Sequence, residues 1–173
     1  MCGMFVVRRA SDIPKSSAYR QLNEQLGALL AGERDGLANT ASTAALLYEG
    51  LPDLNWVGFY FLRGDTLVLG PFQGKVACLR IAVGRGVCGT AAQERRTVIV
   101  PDVQAFPGHI ACDAASRSEI VLPLLRDGVL WGVLDLDSPV LARFDQDDAA
   151  GLAMSVELLL AQSDLTRLVD LGS

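Results

Sequence analysis

The chain has 173 residues, half of them hydrophobic and 20% charged, with a formal net charge of -5. That is enough for one ordinary domain with a sizeable core, and too apolar for intrinsic disorder. The acidic balance argues against a nucleic-acid partner, which needs a basic stripe, and no apolar run nears the ~18 residues of a membrane helix.

Residues 1–13 read as an N-terminal arm. Its start, Met1-Cys-Gly-Met-Phe-Val-Val-Arg-Arg9, lacks the long apolar core of an export signal, so the expected location is cytoplasmic. There the four cysteines are expected as buried thiols, metal ligands or redox groups rather than permanent disulfides.

Residues 14–50 read as two helices. Tyr19, Leu22, Leu26, Leu29 and Leu30 recur at helical spacing, as do Leu37, Ala41, Ala44, Ala45 and Tyr48. Residues 55–138 read as a sheet with active-site loops. Asn55 to Leu62 is rich in strand formers and places Trp56, Gly58, Tyr60 and Leu62 on one face. Arg63-Gly-Asp65 turns into a second strand, Thr66 to Phe72. Gly84-Arg-Gly86 precedes a short helix, Val87 to Glu94. Thr97 to Val100 is a short strand, and Pro101 to Ser118 a long loop.

Glu119 to Leu125 and Val129 to Asp137 form a hairpin whose register matters. A two-residue turn at Asp127-Gly128 would set Glu119 opposite Leu136. A three-residue turn would set it opposite Asp135. The second sorts Ile120, Leu122, Leu124, Leu130, Leu134 and Leu136 onto one uncharged face, and gathers Glu119, Asp135 and Asp137 on the other. Buried unpaired carboxylates are costly, so the sorted register is expected. Residues 145–168 close the chain as a helix with Asp145 as N-cap. This order predicts an α+β fold: a central antiparallel sheet, helices packed on one side, and a loop-covered pocket on the other.

Chemistry concentrates in Phe106-Pro-Gly-His-Ile-Ala-Cys-Asp-Ala-Ala-Ser-Arg-Ser-Glu119, which holds the only histidine, His109. His109 and Arg117 are close enough in sequence to Cys112 to favour its thiolate. Cys88 lies near a helix start, where the dipole favours a thiolate. Cys78 has Lys75 and Arg80 nearby. The cysteines contain no Cys-x-x-Cys pair, which with one histidine argues against zinc. Asp135 and Asp137 point the same way from one strand; with Glu119 they would raise at least one carboxyl pKa and could grip an ammonium group. Trp56 and Tyr60 serve either as core or as a pocket wall, with Gly58 leaving a gap between them.

Asn55-Trp-Val-Gly-Phe-Tyr60, Gly70-Pro-Phe-Gln-Gly74, Ala77-Cys78, Gly86-Val-Cys-Gly-Thr-Ala91, Val100-Pro-Asp-Val103, Phe106-Pro-Gly-His-Ile-Ala-Cys-Asp113, Ser118-Glu-Ile-Val121 and Gly132-Val-Leu-Asp-Leu-Asp-Ser138 together resemble the free methionine-(R)-sulfoxide reductases, which are single GAF-domain enzymes. The resemblance implies a GAF-like fold over the whole chain and reduction of free methionine (R)-sulfoxide. It implies that Cys112 is the catalytic cysteine, Cys78 the resolving one and Cys88 a further redox cysteine. Glu119, Asp135 and Asp137 would bind the substrate, and Trp56 and Tyr60 would line its methyl-sulfoxide end. It also implies recycling by thioredoxin, with no cofactor and no metal. A homodimer stays open. Two other readings are a GAF sensor that binds a small molecule without turnover, and a thiol peroxidase using Cys112.

Overall fold

The computed structural model of the chain describes residues 6–7, 13–108 and 114–170. His109 and Cys112, and the arm cysteine Cys2, lie outside the described residues. Two helices come first, α1 (Lys15–Leu30) and α2 (Gly36–Gly50), followed by β1 (Trp56–Arg63), β2 (Thr66–Gly74) and a short β3 (Arg80–Ala82). Then come α3 (Gly86–Glu94), β4 (Val98–Val100), the hairpin β5 (Ser118–Arg126) and β6 (Val129–Ser138), and α4 (Gln146–Gln162). The strands form one antiparallel sheet in the order β3-β2-β1-β6-β5-β4.

Alternation along the strands divides the core in two. Val57, Phe59, Phe61, Ile120, Leu122, Leu124, Leu134 and Leu136 face α1, α2 and α4. Trp56, Tyr60, Leu67, Ile81, Val121, Val133 and Leu130 face the other way, against Val87, Cys88, Ala91 and Ala92 of α3. The expectation of helices on one side therefore holds for three of them; α3 packs on the opposite face, with the chemistry-bearing residues. The sequence reading missed β3, whose three residues are too few to show a period.

The hairpin register differs from both alternatives considered. Asp127 and Gly128 have φ of 52° and 76°, the backbone of a two-residue turn between Arg126 and Val129. That turn alone would mix acids with leucines. A bulge corrects it: Leu125 pairs with Leu130 but Leu124 with Gly132, so Trp131 is an extra residue. Beyond the bulge Glu119 opposes Asp137, not Asp135. The shift of two from the expected pairing preserves which residues share a face. Only Leu130, on the turn side of the bulge, moves to the α3 face.

Two helix expectations also change. The apolar rhythm read in α2 meets its buried face only at Ala44: Leu37, Ala41, Ala45 and Tyr48 are exposed, while Asn39, Thr40, Thr43, Leu46 and Leu47 are buried. The hydroxyls of Thr40 and Thr43 donate back to Gly36 O and Asn39 O, which satisfies them inside the core. The last helix ends at Gln162 rather than Leu168, because Asp164 N donates to Arg34 O at 2.8 Å and bridges Asp35, at the turn before α2, instead. Its start is as read, with Asp145 capping Asp147 N and Asp148 N.

α1 and α4 meet closely. Asn23 donates to Gly151 O at 3.0 Å and accepts from Ser155 Oγ at 2.6 Å. The Tyr19 ring lies on Gly151, where an added Cβ would fall within 2.0 Å of Tyr19 Cγ. Gly151→Ala is expected to destabilise the fold by ~1–3 kcal/mol through overpacking, read as a lower urea midpoint. An unchanged midpoint would mean the helices can part without cost.

Candidate functional site

The cross-strand pairing builds the site as rows on the α3 face of the sheet. Trp56 pairs with Asp137, and Asp137 with Glu119. In the next row Gly58 pairs with Asp135, and Asp135 with Val121. Three carboxyls thus converge from two neighbouring strands. Glu119 and Asp135 are 5% and 6% exposed, while Asp137 is half-buried.

α3 closes over this cluster. The left-handed glycines Gly84 and Gly86 bring the chain into the helix, and Gly89 packs so close that a Cβ would come within 2.5 Å of Ala82 O. Cys88, on the first turn, donates its S–H to Asp135 Oδ2 at 3.2 Å. Donor atoms of Cys88, Glu119 and Asp135 all lie within 4.8 Å of one another. That is the spacing of a cation site, with one soft and two hard ligands.

Burial dominates the electrostatics. The Glu119 carboxyl is pushed well above the usual carboxylate range by desolvation and the charge of Asp137, against a hydrogen bond with Asp135 that pulls it down. Asp135 is pushed up by desolvation and the charge of Glu119, with the Cys88 hydrogen bond opposing. Two such carboxyls in contact share a proton rather than ionise together. The Cys88 thiol is held well above its ordinary value by burial and by the charges of Asp135 and Glu119. Burial and the nearby acid charge thus oppose the thiolate expected there from the helix start.

The aromatic wall adjoins the acids. Trp56 stacks with Tyr60, ring centroids 6.0 Å apart, and with Phe72 at 5.5 Å. The gap expected at Gly58 is filled by neighbours, since a Cβ there would meet Trp56 Cη2 at 2.4 Å and Phe72 Cβ at 2.5 Å. Trp56 Nε1 donates to Lys75 O at 3.0 Å, and Tyr60 OH to Cys78 O at 3.1 Å. Cys78 is half-buried and packs, with Ala77 and Phe106, against the same cluster as Trp56, Tyr60 and Cys88. Phe72 was missed as part of the wall; its signal is an aromatic between Pro71 and Gly74 on the strand paired to Trp56.

The long loop leaves and rejoins the sheet beside the carboxyls. Val103 N donates to Arg117 O at 2.9 Å, Arg117 N to Ser138 O at 2.7 Å, and Asn55 Nδ2 to Ser116 Oγ at 3.0 Å. The structure thus brings Trp56, Tyr60, Cys78, Cys88, Glu119, Asp135 and Asp137 to one face. Val103, Ser116 and Arg117 are tied to the same rim.

Residues 16–162 match the GAF domain family. A free methionine-R-sulfoxide reductase of Escherichia coli is 56% identical over 153 residues, which cover 87% of this chain and 93% of that protein. One from Saccharomyces cerevisiae is 42% identical, covering 88% of this chain and 89% of that protein. The X-ray structure of free methionine-R-sulfoxide reductase from Neisseria meningitidis, in complex with its substrate, superposes with a TM-score of 0.87. It is 46% identical and covers 92% of this chain and 95% of that one.

The raised carboxyls bear on stability. Folded Glu119 and Asp135 keep a proton that the unfolded chain releases above the ordinary carboxylate range near pH ~4. The folded state then binds more protons, so stability falls as pH rises from ~4. Glu119→Gln is expected to unfold at higher urea than the wild type at pH 8 and at a similar concentration at pH 4.5. Equal midpoints at both pH values would remove the buried proton.

Proposed function

Because the chain belongs to the free methionine-R-sulfoxide reductase family, oxidoreductases built on a GAF domain, we propose that it reduces free L-methionine (R)-sulfoxide to methionine. The observation that carries this reading is the buried Glu119–Asp135 pair beside Asp137 and an aromatic wall. A free amino acid brings an ammonium group, which the carboxyls bind; a methionine within a peptide has none. A desolvated charge pair of this kind is worth ~2 kcal/mol or more, about 30-fold in affinity. Trp56, Tyr60 and Phe72 offer the apolar wall that the methyl-sulfoxide end needs.

In the proposed cycle Cys112 attacks the sulfoxide sulfur as a thiolate. A carboxyl kept protonated by its neighbours donates to the sulfoxide oxygen. The substrate leaves as the thioether and the oxygen remains on Cys112 as a sulfenic acid. The Cys78 thiol condenses with it, releasing water and forming a disulfide. An external dithiol, thioredoxin in the cell, returns both sulfurs to thiols. Cys88, assigned a redox part by the resemblance, has a second use supported by its hydrogen bond: as a neutral thiol it holds Asp135 in place. A GAF sensor has no use for the half-exposed Cys78 on the rim of such a pocket, and a peroxidase has none for the acids.

Incubation with racemic free methionine sulfoxide and dithiothreitol tests the reading. The expected result is loss of the R epimer alone, with kcat/KM at least about 30-fold lower for the N-acetylated substrate. Binding without consumption would support the sensor, and peroxide consumption alone the peroxidase. Cys112→Ser is expected to abolish turnover. Cys78→Ser is expected to release one equivalent of methionine and then stop with thioredoxin; steady turnover would refute its resolving part.

A further inference from the structure

Residues 75–79 join β2 to the edge strand β3. They carry Val76, 84% exposed, and Leu79, 70% exposed, the two most exposed large hydrophobic side chains among the described residues. Single exposed apolar residues are ordinary, but these two flank the half-buried Cys78. The loop is not slack. Lys75 O accepts from Trp56 Nε1 at 3.0 Å, Cys78 O from Tyr60 OH at 3.1 Å and Leu79 O from Leu69 N at 3.0 Å. The Trp56 and Tyr60 side chains thus fix the backbone while Val76 and Leu79 face solvent. The stretch itself is cationic in an acidic chain: residues 66–93 hold Lys75, Arg80 and Arg85 and no Asp or Glu, against a net charge of -5 overall.

We propose that Val76 and Leu79, rimmed by Lys75 and Arg80, are the docking surface for a protein dithiol reductant whose reactive cysteines sit in an apolar patch with an acidic border. The proposal rests on the reductase reading above, because only a disulfide involving Cys78 needs such a visitor. A second copy of this chain fits the surface poorly, since a two-fold interface would place the same cationic rim against itself.

The exchange balances. A thiolate of the partner attacks Cys78 Sγ in the Cys78–Cys112 disulfide; that S–S bond breaks and Cys112 leaves with the electron pair. The partner's second thiolate then attacks its own first sulfur and releases Cys78. Two electrons and two protons pass to this chain, and the partner ends as a disulfide. Docking contacts raise the local concentration of the attacking thiolate, which a small dithiol in excess does not require.

The test is steady-state reduction of free methionine (R)-sulfoxide by Val76→Asp/Leu79→Asp, with reduced thioredoxin and separately with dithiothreitol. The double variant is expected to raise the KM for thioredoxin at least tenfold and to keep dithiothreitol-supported turnover within twofold. Lys75→Glu/Arg80→Glu is expected to raise the same KM and to weaken its dependence on salt. An unchanged KM for thioredoxin in both variants would overturn the docking surface, as would an equal loss with both reductants. A fall in sedimentation mass of Val76→Asp/Leu79→Asp with unchanged KM would mark the patch as a self-association face and overturn it too. No turnover by the wild type with dithiothreitol would instead refute the reductase reading, and the docking surface with it.

Discussion

A pair of carboxyls with almost no access to water is the constraint on which this site depends. Glu119 and Asp135 sit on neighbouring strands beside Asp137 and the Cys88 thiol. Ionising both would place two negative charges in one dry volume, which desolvation and repulsion together oppose. The pair therefore keeps a proton. In the proposed function that state serves two ends at once, since the cluster would keep negative charge to attract the substrate's ammonium and a proton to give to its oxygen. It is also a strained use of a core, because apolar residues in the same rows would stabilise the sheet more.

The scaffold is arranged to hold that cluster. One face of the sheet is packed by α1, α2 and α4 and carries no acid, so the other face can be given over to chemistry. The bulge at Trp131 makes this separation work. The two-residue turn sets the strands one residue out of step, and the extra residue restores the alternation before Leu134, Asp135 and Asp137 are reached. α3 is the α-helix on the working face among the described residues, and its glycine-rich entry lets Cys88 approach Asp135. The aromatic wall links the acids to the Cys78 loop through two hydrogen bonds.

Much of this was legible in the residues. Period-two alternation placed Trp56 and Tyr60 together, and the cost of burying acids among leucines placed Glu119, Asp135 and Asp137 on one face. The pairing itself was not legible, because turn and bulge compensate and only their sum is constrained by burial. The opposing pull on the Cys88 thiol was not legible for a related reason. A helix start is visible in a sequence, whereas the carboxyls that β5 and β6 bring against it are not. In α2 the apolar rhythm misled because Thr40 and Thr43 satisfy their hydroxyls within the helix and can be buried, leaving Leu37 and Tyr48 outside.

The shared proton is the central claim, and a carbon-13 NMR titration of the side-chain carboxyls of Glu119 and Asp135 reads it most directly. The account requires that the pair still hold one proton at neutral pH, with one ionisation displaced well above the ordinary carboxylate range. Two independent titrations, both complete below about pH 5, would contradict it.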